Sequence, residues 1–203
     1  MDLTQPLKFP IIYDVFHHLC GSYAVRRRFV EEFVRATPGS RVLDIGCGSG
    51  KVIEFLPPDV EYIGYDLNRI YIEHAKKKYG ERGQFFCADV NDESTRSIQG
   101  QFDFAMLVGV IHHLTNDEVH DMLKNAYNYL KPGGVLASFD NVNVSAEQPF
   151  ISRWINRNDR GKYIRSPEEY IHLMYDHFSM VEFVLLTDMF IYPNYQFIMR
   201  GTK

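Results

Sequence analysis

Cysteines are few in this sequence, and long apolar runs are absent. The three cysteines, Cys20, Cys47 and Cys87, lack CxxC spacing, and this odd number in apolar or glycine-rich surroundings favours free thiols over a disulfide framework or a zinc site. No stretch approaches the roughly 18 uninterrupted apolar residues that span a bilayer. Residues 1–10 also lack the basic and apolar regions of a signal peptide. We therefore expect a cytoplasmic protein without membrane insertion.

An excess of positive charge is also missing. The 203 residues carry a formal net charge of −4, so the chain has no overall attraction to phosphate backbones, from which most non-specific nucleic-acid affinity comes. We therefore expect no nucleic-acid partner. The length and a hydrophobic content of 45% allow one substantial core, which predicts a single domain over residues 1–203. The oligomeric state is left open.

Short apolar segments alternate with segments of helical length along most of the chain. This alternation predicts parallel strands joined by crossover helices in a doubly wound α/β fold. Only residues 187–195 separate the last two strands, too few for a crossover helix, so these strands should form an antiparallel hairpin at the sheet edge. An amphipathic helical start is predicted at 11–36, strands at 41–45, 62–66, 84–88, 102–108, 134–140, 180–186 and 196–200, and helices at 51–55, 69–79, 117–130 and 167–177.

A glycine-rich loop follows the first predicted strand, in the stretch Asp44-Ile45-Gly46-Cys47-Gly48-Ser49-Gly50. Glycines allow a ligand to approach the backbone closely and allow the tight turn from strand to helix. Asp66 ends the next strand, twenty positions after Gly46, where a carboxylate can accept both hydroxyls of a ribose.

The same two features also suit a nicotinamide-dependent oxidoreductase, so this alternative has to be weighed. The dinucleotide fingerprint places its third glycine one position later than Gly50. Asp44 puts a negative charge just before the glycines, where it would repel a pyrophosphate and attract the ammonium of an amino-acid ligand. The spacing and the charge therefore argue against the oxidoreductase.

Five motifs follow one another between residues 41 and 140. They read VLDIGCGSG at 42–50, IGYDL at 63–67, CADV at 87–90, FDF to HHL at 102–114, and LKPGG at 130–134. In this order and spacing the chain resembles the class I S-adenosylmethionine-dependent methyltransferases, in particular the small-molecule type 11/12 group. The resemblance implies a Rossmann-like seven-stranded sheet, mostly parallel with an antiparallel C-terminal hairpin, and S-adenosyl-L-methionine as the cofactor.

The resemblance also implies where the methionine end of the cofactor lies. Gly46 and Gly48 would pass under the methionine part, and Asp44 would lie near its amino group. Val108 and Gly109, at the end of the fourth strand, would lie beside the sulfonium.

For the nucleoside end, the resemblance implies four further residues. Asp66 would hold the ribose hydroxyls, Leu67 would pack on the adenine, and Asp89 with Val90 would contact the adenine edge. Simpler interpretations stay open, because Asp44 and Asp66 could be helix caps and Asp89 a turn residue.

Three residues are candidates for acid–base chemistry because they follow the fourth and fifth strands, whose carboxyl ends should face the cofactor. They are His112, His113 and Asp140. An oxygen acceptor usually needs a base to remove its proton, whereas an amine, thiolate or carboxylate can arrive already nucleophilic. A structural or cofactor-shaping role is the preferred interpretation for all three.

A basic stretch lies within residues 141–178, the region that we predict to be an acceptor-binding insertion. Its cations could clamp a carboxylate, phosphate or acidic sugar, or could simply form a solvated face. Trp154 could form a wall of the pocket or anchor the stretch in the core, and the anchor is the preferred interpretation. Tyr192 could close the same cleft. The cations are Arg153, Arg157, Arg160, Lys162 and Arg165, with Asp159 as the one acid among them.

Together these features predict methyl transfer to a small-molecule acceptor, a metabolite, sugar or lipid that is methylated on oxygen or nitrogen, with residues 1–38 forming a helical cap. No sequence feature indicates a catalytic metal. A module that binds the cofactor without catalysis is the main alternative, and the nicotinamide-dependent oxidoreductase is a weaker one.

Overall fold

A computed structural model describes residues 22–144 and 148–203 of the chain. The predicted helical start is confirmed from residue 22 onward, as α1 (Ser22–Phe29) continued by one π-helical turn (Val30–Val34). Residues 11–21 of that prediction lie outside the described residues. Cys20 lies there as well, and Cys47 and Cys87 are free thiols.

A seven-stranded sheet forms the centre of the molecule, with the strand order β3-β2-β1-β4-β5-β7-β6. Strands β1 to β5 run parallel, and β7 is antiparallel to both β5 and β6. The predicted doubly wound sheet with an antiparallel C-terminal hairpin is thus confirmed. The strands are β1 (Arg41–Ile45), β2 (Glu61–Asp66), β3 (Gly83–Cys87), β4 (Phe102–Val108), β5 (Leu130–Asn141), β6 (Met180–Leu186) and β7 (Gln196–Thr202).

Four further α-helices accompany the strands among the described residues. The best-defined starts are at Thr115 and Ser166, where reciprocal side-chain and backbone hydrogen bonds with Glu118 and Glu169 satisfy the first amides of α3 and α5. The helices are α2 (Arg69–Tyr79), α3 (Asn116–Tyr129), α4 (Phe150–Asn158) and α5 (Pro167–Tyr175), with short 3₁₀ helices at Lys51–Phe55, Glu93–Ile98 and Ile111–His113.

Four of these elements differ from the sequence predictions. The predicted helix at 51–55 is a 3₁₀ helix, and neither α4 nor the other two 3₁₀ helices were predicted. Among the described residues, no helix has both the length and the apolar character needed to cross a bilayer.

The central strands are buried on both faces. In β1, Leu43 and Ile45 belong to the core cluster that also contains the apolar side chains of α3 and α5. Val42, pointing the opposite way, belongs to the cluster that includes the inner faces of α1 and α2. This two-sided burial explains why β1 is a compact apolar run rather than an alternating one.

The neighbours β1 and β4 are the strands at which the sheet order reverses. From β1 the chain proceeds outward to β2 and β3, and then it returns to place β4 on the other side of β1. In open α/β sheets the connections diverge at such a point and leave a crevice beyond the carboxyl ends of the strands. The fold therefore places a ligand cleft beyond Ile45 and Val108.

We expect Leu43→Ala to lower the free energy of unfolding by about 2–5 kcal/mol, because it removes a fully buried side chain from the central strand. Urea denaturation monitored by circular dichroism measures this change. Leu67→Ala is the matched control: Leu67 is 73% exposed, and the loss there should stay within about 0.5 kcal/mol. Equal losses in both variants would contradict the burial described for β1.

Candidate active site

The loop between β1 and the first 3₁₀ helix is shaped by its glycines. Gly46 has a φ of +74°, and a Cβ there would lie 2.5 Å from Cγ2 of Val110. Only glycine fits that position without strain. The amides of Gly46 and Cys47 both donate to the carbonyl of Tyr65, at 2.8 and 3.0 Å, so the loop is fastened to the end of β2.

Asp66 fastens the same loop from a second direction. Its Oδ2 accepts a hydrogen bond from the Gly48 amide at 2.8 Å, and its Oδ1 accepts one from the Asn68 amide at 2.7 Å. Asn68 in turn caps the start of α2. The carboxylate of Asp66 therefore links the glycine loop, β2 and the start of α2. It is not the N-cap of α2, because the Asn68 side chain has that role.

Asp44 is a buried carboxylate at the base of this loop. It is 1% exposed, and its Oδ2 accepts a hydrogen bond from the Tyr62 hydroxyl at 2.6 Å. Within the described part of the chain, Oδ1 has no hydrogen-bond partner. Burial raises the pKa of Asp44 to about 7, so this site favours a cation that could pair with the carboxylate.

A cleft opens at the carboxyl ends of β1 and β4, where the strand order reverses. It brings together four residues predicted for the cofactor site: Asp44, Gly46, Gly48 and Val108. Sequence reasoning missed Arg26, Lys51 and Tyr71, which also line it. The full lining is Arg26, Asp44, Gly46, Cys47, Gly48, Ser49, Lys51, Val52, Tyr71 and Val108.

Arg26 could have been distinguished from its neighbours in the run Arg26-Arg27-Arg28. Arg27 and Arg28 form ion pairs one helical turn on, with Glu31 and Glu32. The residue one turn after Arg26 is Val30, a core residue. The residue one turn later therefore places Arg26 towards the inner side of α1, whereas Arg27 and Arg28 are followed by exposed acids.

The other residues predicted for the cofactor are not among those that line the cleft. Leu67 is 73% exposed directly after β2, and Gly109 follows Val108 at the end of β4. The Asp89 carboxylate accepts a hydrogen bond from the Asn91 amide at 2.8 Å, the turn role left open for it. The Val90 side chain is buried in the core, so only its backbone could reach a ligand.

His112 and Asp140 form a buried ion pair next to Gly109. Asp140 Oδ1 lies 2.7 Å from His112 Nδ1 and also accepts a hydrogen bond from the His112 amide. On the other side of the ring, Nε2 lies 3.4 Å from Oδ1 of Asp159. Burial alone would lower the pKa of His112, but the interactions with these two carboxylates outweigh burial and raise it to about 9.

His113 differs from its neighbour in being exposed. Its ring lies 4.3 Å from the His112 ring, centroid to centroid. Burial of part of the ring and the adjacent His112 lower the pKa of His113 below its usual value. At neutral pH His113 therefore offers a neutral imidazole at the surface of the cluster, whereas His112 and Asp140 are held within it.

The basic stretch is not a single surface. Arg153 and Arg157 are exposed on α4, and Arg160 is exposed in the segment that follows. Arg165, by contrast, is 6% exposed and donates to the Ile111 and Leu114 carbonyls. Arg165 is therefore not available to bind an anionic acceptor, which was the role predicted for the cations of this stretch. Its guanidinium holds the loop after β4 instead.

The prediction that Trp154 anchors the stretch in the core is also wrong. Trp154 is 57% exposed on α4, and Phe150, one turn before it, is 72% exposed. The buried face of this helix is polar instead, with Ser152 bonded to Asn194 and Asn156 bonded to the Val142 carbonyl. A network of hydrogen bonds, rather than apolar burial, attaches α4 to the sheet.

Tyr192, proposed as a closing residue, lies in the connection between β6 and β7. Its ring stacks on Phe190 at 5.1 Å, and it is not among the residues that line the cleft.

We expect Gly161→Ala to cost about 1–3 kcal/mol of stability through overpacking. A Cβ at this position would lie 2.0 Å from Cδ2 of His112 and 2.7 Å from its carbonyl oxygen. Thermal unfolding measures the loss, with Arg160→Ala at the exposed neighbouring position as the control. An unchanged melting temperature for Gly161→Ala would show that the segment does not close on His112.

Comparison with known proteins agrees with this geometry. The family model described as "Methyltransferase domain" matches residues 43–136. The N-terminal Xaa-Pro-Lys N-methyltransferase 1 of Mus musculus is 29% identical over 126 residues, which cover 57% of this chain and 56% of that protein. The ubiquinone biosynthesis O-methyltransferase of Bradyrhizobium sp. (strain ORS 278) is 29% identical over 154 residues, covering 68% and 57%. The chain thus spans little more than half the length of these relatives.

Among solved structures, the chain is similar to an S-adenosylmethionine-dependent methyltransferase from Thermotoga maritima, a possible histamine N-methyltransferase. The TM-score is 0.71 at 22% identity, with 97% of this chain and 96% of that chain covered. This likeness concerns the fold, and the family match covers every residue that lines the cleft except Arg26. The predicted resemblance to the class I S-adenosylmethionine-dependent methyltransferases is thus confirmed by a methyltransferase family match, by methyltransferase relatives and by the fold.

Proposed function

We propose that the cleft binds S-adenosyl-L-methionine and that the chain transfers its methyl group to a small, anionic acceptor. One observation carries this proposal: the buried Oδ1 of Asp44 has no hydrogen-bond partner among the described residues. Asp44 lines the cleft at the point where the strand order of the sheet reverses. A buried carboxylate in that position is costly unless a cation or donor joins it. The cofactor's ammonium is such a cation.

The opposite charges around Asp44 match the amino-acid end of the cofactor. Asp44 would receive the ammonium, and Arg26 and Lys51, which line the same cleft, supply positive charge for the carboxylate. A zwitterion therefore meets complementary charges at one end of the cleft. The same arrangement disfavours the pyrophosphate of a nicotinamide cofactor, because Asp44 would lie beside it.

Asp66 is suited to the ribose. A carboxylate offers about four lone-pair sites, and two of these already accept the amides of Gly48 and Asn68. The remaining sites can accept the two ribose hydroxyls. Leu67 next to it presents an exposed apolar surface to the adenine, while Asp89 and the backbone of Val90 bound the adenine edge.

The bound cofactor supplies a methyl group on a positively charged sulfur, an electrophile with an excellent leaving group. The chain's own task is alignment, since an in-line displacement depends on the distance and angle of approach. We assign Val108 and Gly109 to the wall beside the reacting methyl group. The backbone of Gly109 brings no side chain to that wall, which leaves room for the acceptor.

Neither His112 nor Asp140 is suited to act as a general base. The carboxylate is buried and paired with His112, and a histidine with a pKa of about 9 holds its proton at neutral pH. We propose that the pair has a positioning role, because it connects the end of β4 to the end of β5. Of the three predicted acid–base residues, only His113 presents a neutral, exposed ring.

The acceptor would enter from the side of residues 141–178. Arg153, Arg157 and Arg160 are exposed there and supply positive charge to attract an anion, while the exposed Phe150 and Trp154 offer an apolar surface beside it. An amphiphilic acid fits this combination better than a sugar alone. The two curated relatives act on different acceptor classes by their names, so this choice comes from the chain's own surface.

We expect Asp66→Ala to weaken binding of S-adenosylhomocysteine by more than tenfold, because the ribose would lose charge-assisted hydrogen bonds worth about 1.5–3 kcal/mol. Isothermal titration calorimetry measures the affinity. Because Asp66 also fastens the glycine loop, Asp66→Asn is the companion variant: it keeps one carbonyl acceptor and should retain intermediate affinity. Unchanged affinity in Asp66→Ala would place the ribose elsewhere.

The affinity for S-adenosylhomocysteine should rise with pH through the pKa of Asp44. Below pH 7 the carboxyl is mostly protonated and cannot pair with the ligand's ammonium, whereas above it the carboxylate is present. Between pH 6.0 and 7.5 we expect roughly an eightfold gain in affinity, because the ionised fraction of Asp44 rises by that factor. Asp44→Asn should bind weakly and show no such gain. A pH-independent affinity in the unmodified protein would contradict the assigned partner.

The exposed arginines should affect the acceptor and not the cofactor. We expect Arg157→Glu and Arg160→Glu to reduce turnover of an anionic acceptor at least fivefold while leaving cofactor affinity within twofold, since a reversed charge repels the anion. A screen of carboxylic acids and phosphates is needed first to identify the acceptor. Turnover of any of these compounds would show that the chain is an enzyme and not a module that only binds the cofactor. If both variants turn over the acceptor as fast as the unmodified protein, the proposed anion-binding role of these arginines is contradicted.

A further inference from the structure

A cluster of metal-ligating side chains lies beside the cofactor cleft, outside the residues that line it. Each of His112, His113 and Asp159 offers a ligand atom, and the three atoms lie within 4.8 Å of one another. Two imidazoles and one carboxylate are a ligand set that zinc and related divalent transition metals accept, with a further coordination position left open.

Asp140 orients the buried histidine for such a role. Its Oδ1 holds His112 Nδ1 at 2.7 Å, which fixes the ring and directs Nε2 away toward Asp159. A carboxylate bonded to the far nitrogen of a ligating histidine is a recurring arrangement around protein metals. Asp159 is held in the same way, because its Oδ1 accepts from the Gly161 amide and its Oδ2 from Asn141 Nδ2.

The spacing between the two innermost donor atoms suits shared coordination better than a direct hydrogen bond. His112 Nε2 and Asp159 Oδ1 are 3.4 Å apart, whereas a charge-assisted hydrogen bond between them would be about 2.8 Å long. Two ligands about 2.1 Å from a tetrahedral zinc ion lie about 3.4 Å from each other. The distance between His112 Nε2 and Asp159 Oδ1 therefore equals the distance expected between two ligand atoms of one tetrahedral zinc ion.

The charges also balance for a divalent cation. Asp140 and Asp159 contribute two negative charges, and Asp140 Oδ2 is buried with no hydrogen-bond partner within the described ranges. A metal ion would displace the Nε2 proton of His112, and with both histidines then neutral the four side chains carry a charge of minus two. We propose that His112, His113 and Asp159 bind one divalent transition-metal ion of the zinc class, with Asp140 as the residue that positions His112.

The location suggests what the open coordination position would receive. A Cβ on Gly109 would lie 3.6 Å from Cε1 of His112, and Gly109 directly follows Val108, which lines the cleft. His113 is exposed, so the metal is reached from the solvent side. An anionic oxygen of the acceptor is the ligand this position would take, and this last step rests on the proposed function.

Cobalt(II) binding to the metal-free full chain tests the site. Cobalt substitutes for zinc, and its visible absorption reports coordination number and ligand type. We expect one equivalent of cobalt with a four-coordinate nitrogen and oxygen spectrum, displaced by zinc. His113→Ala and Asp159→Asn should each weaken binding at least tenfold; both replace residues that are not fully buried, so the fold is retained.

His120→Ala is the matched control, since His120 belongs to a second histidine pair, 3.1 Å from His177. Its cobalt affinity should stay within twofold of the unmodified protein. Equal loss in His120→Ala, or a thiolate absorption band that Cys87→Ser abolishes, would overturn the site, as would absence of stoichiometric binding. The affinity of the metal-free protein for S-adenosylhomocysteine is measured in parallel, so failure of the cofactor proposal is seen separately.

Discussion

The buried carboxylate of Asp44 is the constraint on which the rest of the site depends. It lies at the end of the central strand, where β1 and β4 part, and only Tyr62 donates to it among the described side chains. A carboxyl with a pKa near 7 is held between its neutral and charged forms, so a cationic partner has a large effect there. The glycine loop and Asp66 hold open the space that this partner needs.

Two charge clusters flank the switch point, and they have different chemistry. The first, around Asp44 and Arg26, is divided into opposite signs and suits a zwitterion. The second, around His112, has two carboxylates directed at one imidazole and suits a cation. Val108 lines the cleft and Gly109 lies near His112, so these two residues stand between the clusters. This is where the proposed function assigns the reacting methyl group.

Much of this could be predicted from the sequence because local signals and burial agreed. The glycine loop, Asp66 and the strands buried on both faces follow from residue type and spacing, and the short connection before Gln196 dictated the hairpin. Helix α4 was missed because its buried face is polar and its exposed face apolar, the reverse of the usual pattern. For the same reason Trp154 was placed in the core. Asp159 reaches its site through tertiary contacts that no local pattern contains.

The central claim is that Asp44 and its surroundings select S-adenosylmethionine over a dinucleotide. Calorimetric titration of one protein sample with S-adenosylmethionine and with NAD⁺ tests it most directly. We predict one molecule of S-adenosylmethionine bound per chain, no measurable binding of NAD⁺, and a loss of at least tenfold in S-adenosylmethionine affinity in Asp44→Asn. Tight binding of NAD⁺ without binding of S-adenosylmethionine would contradict the account.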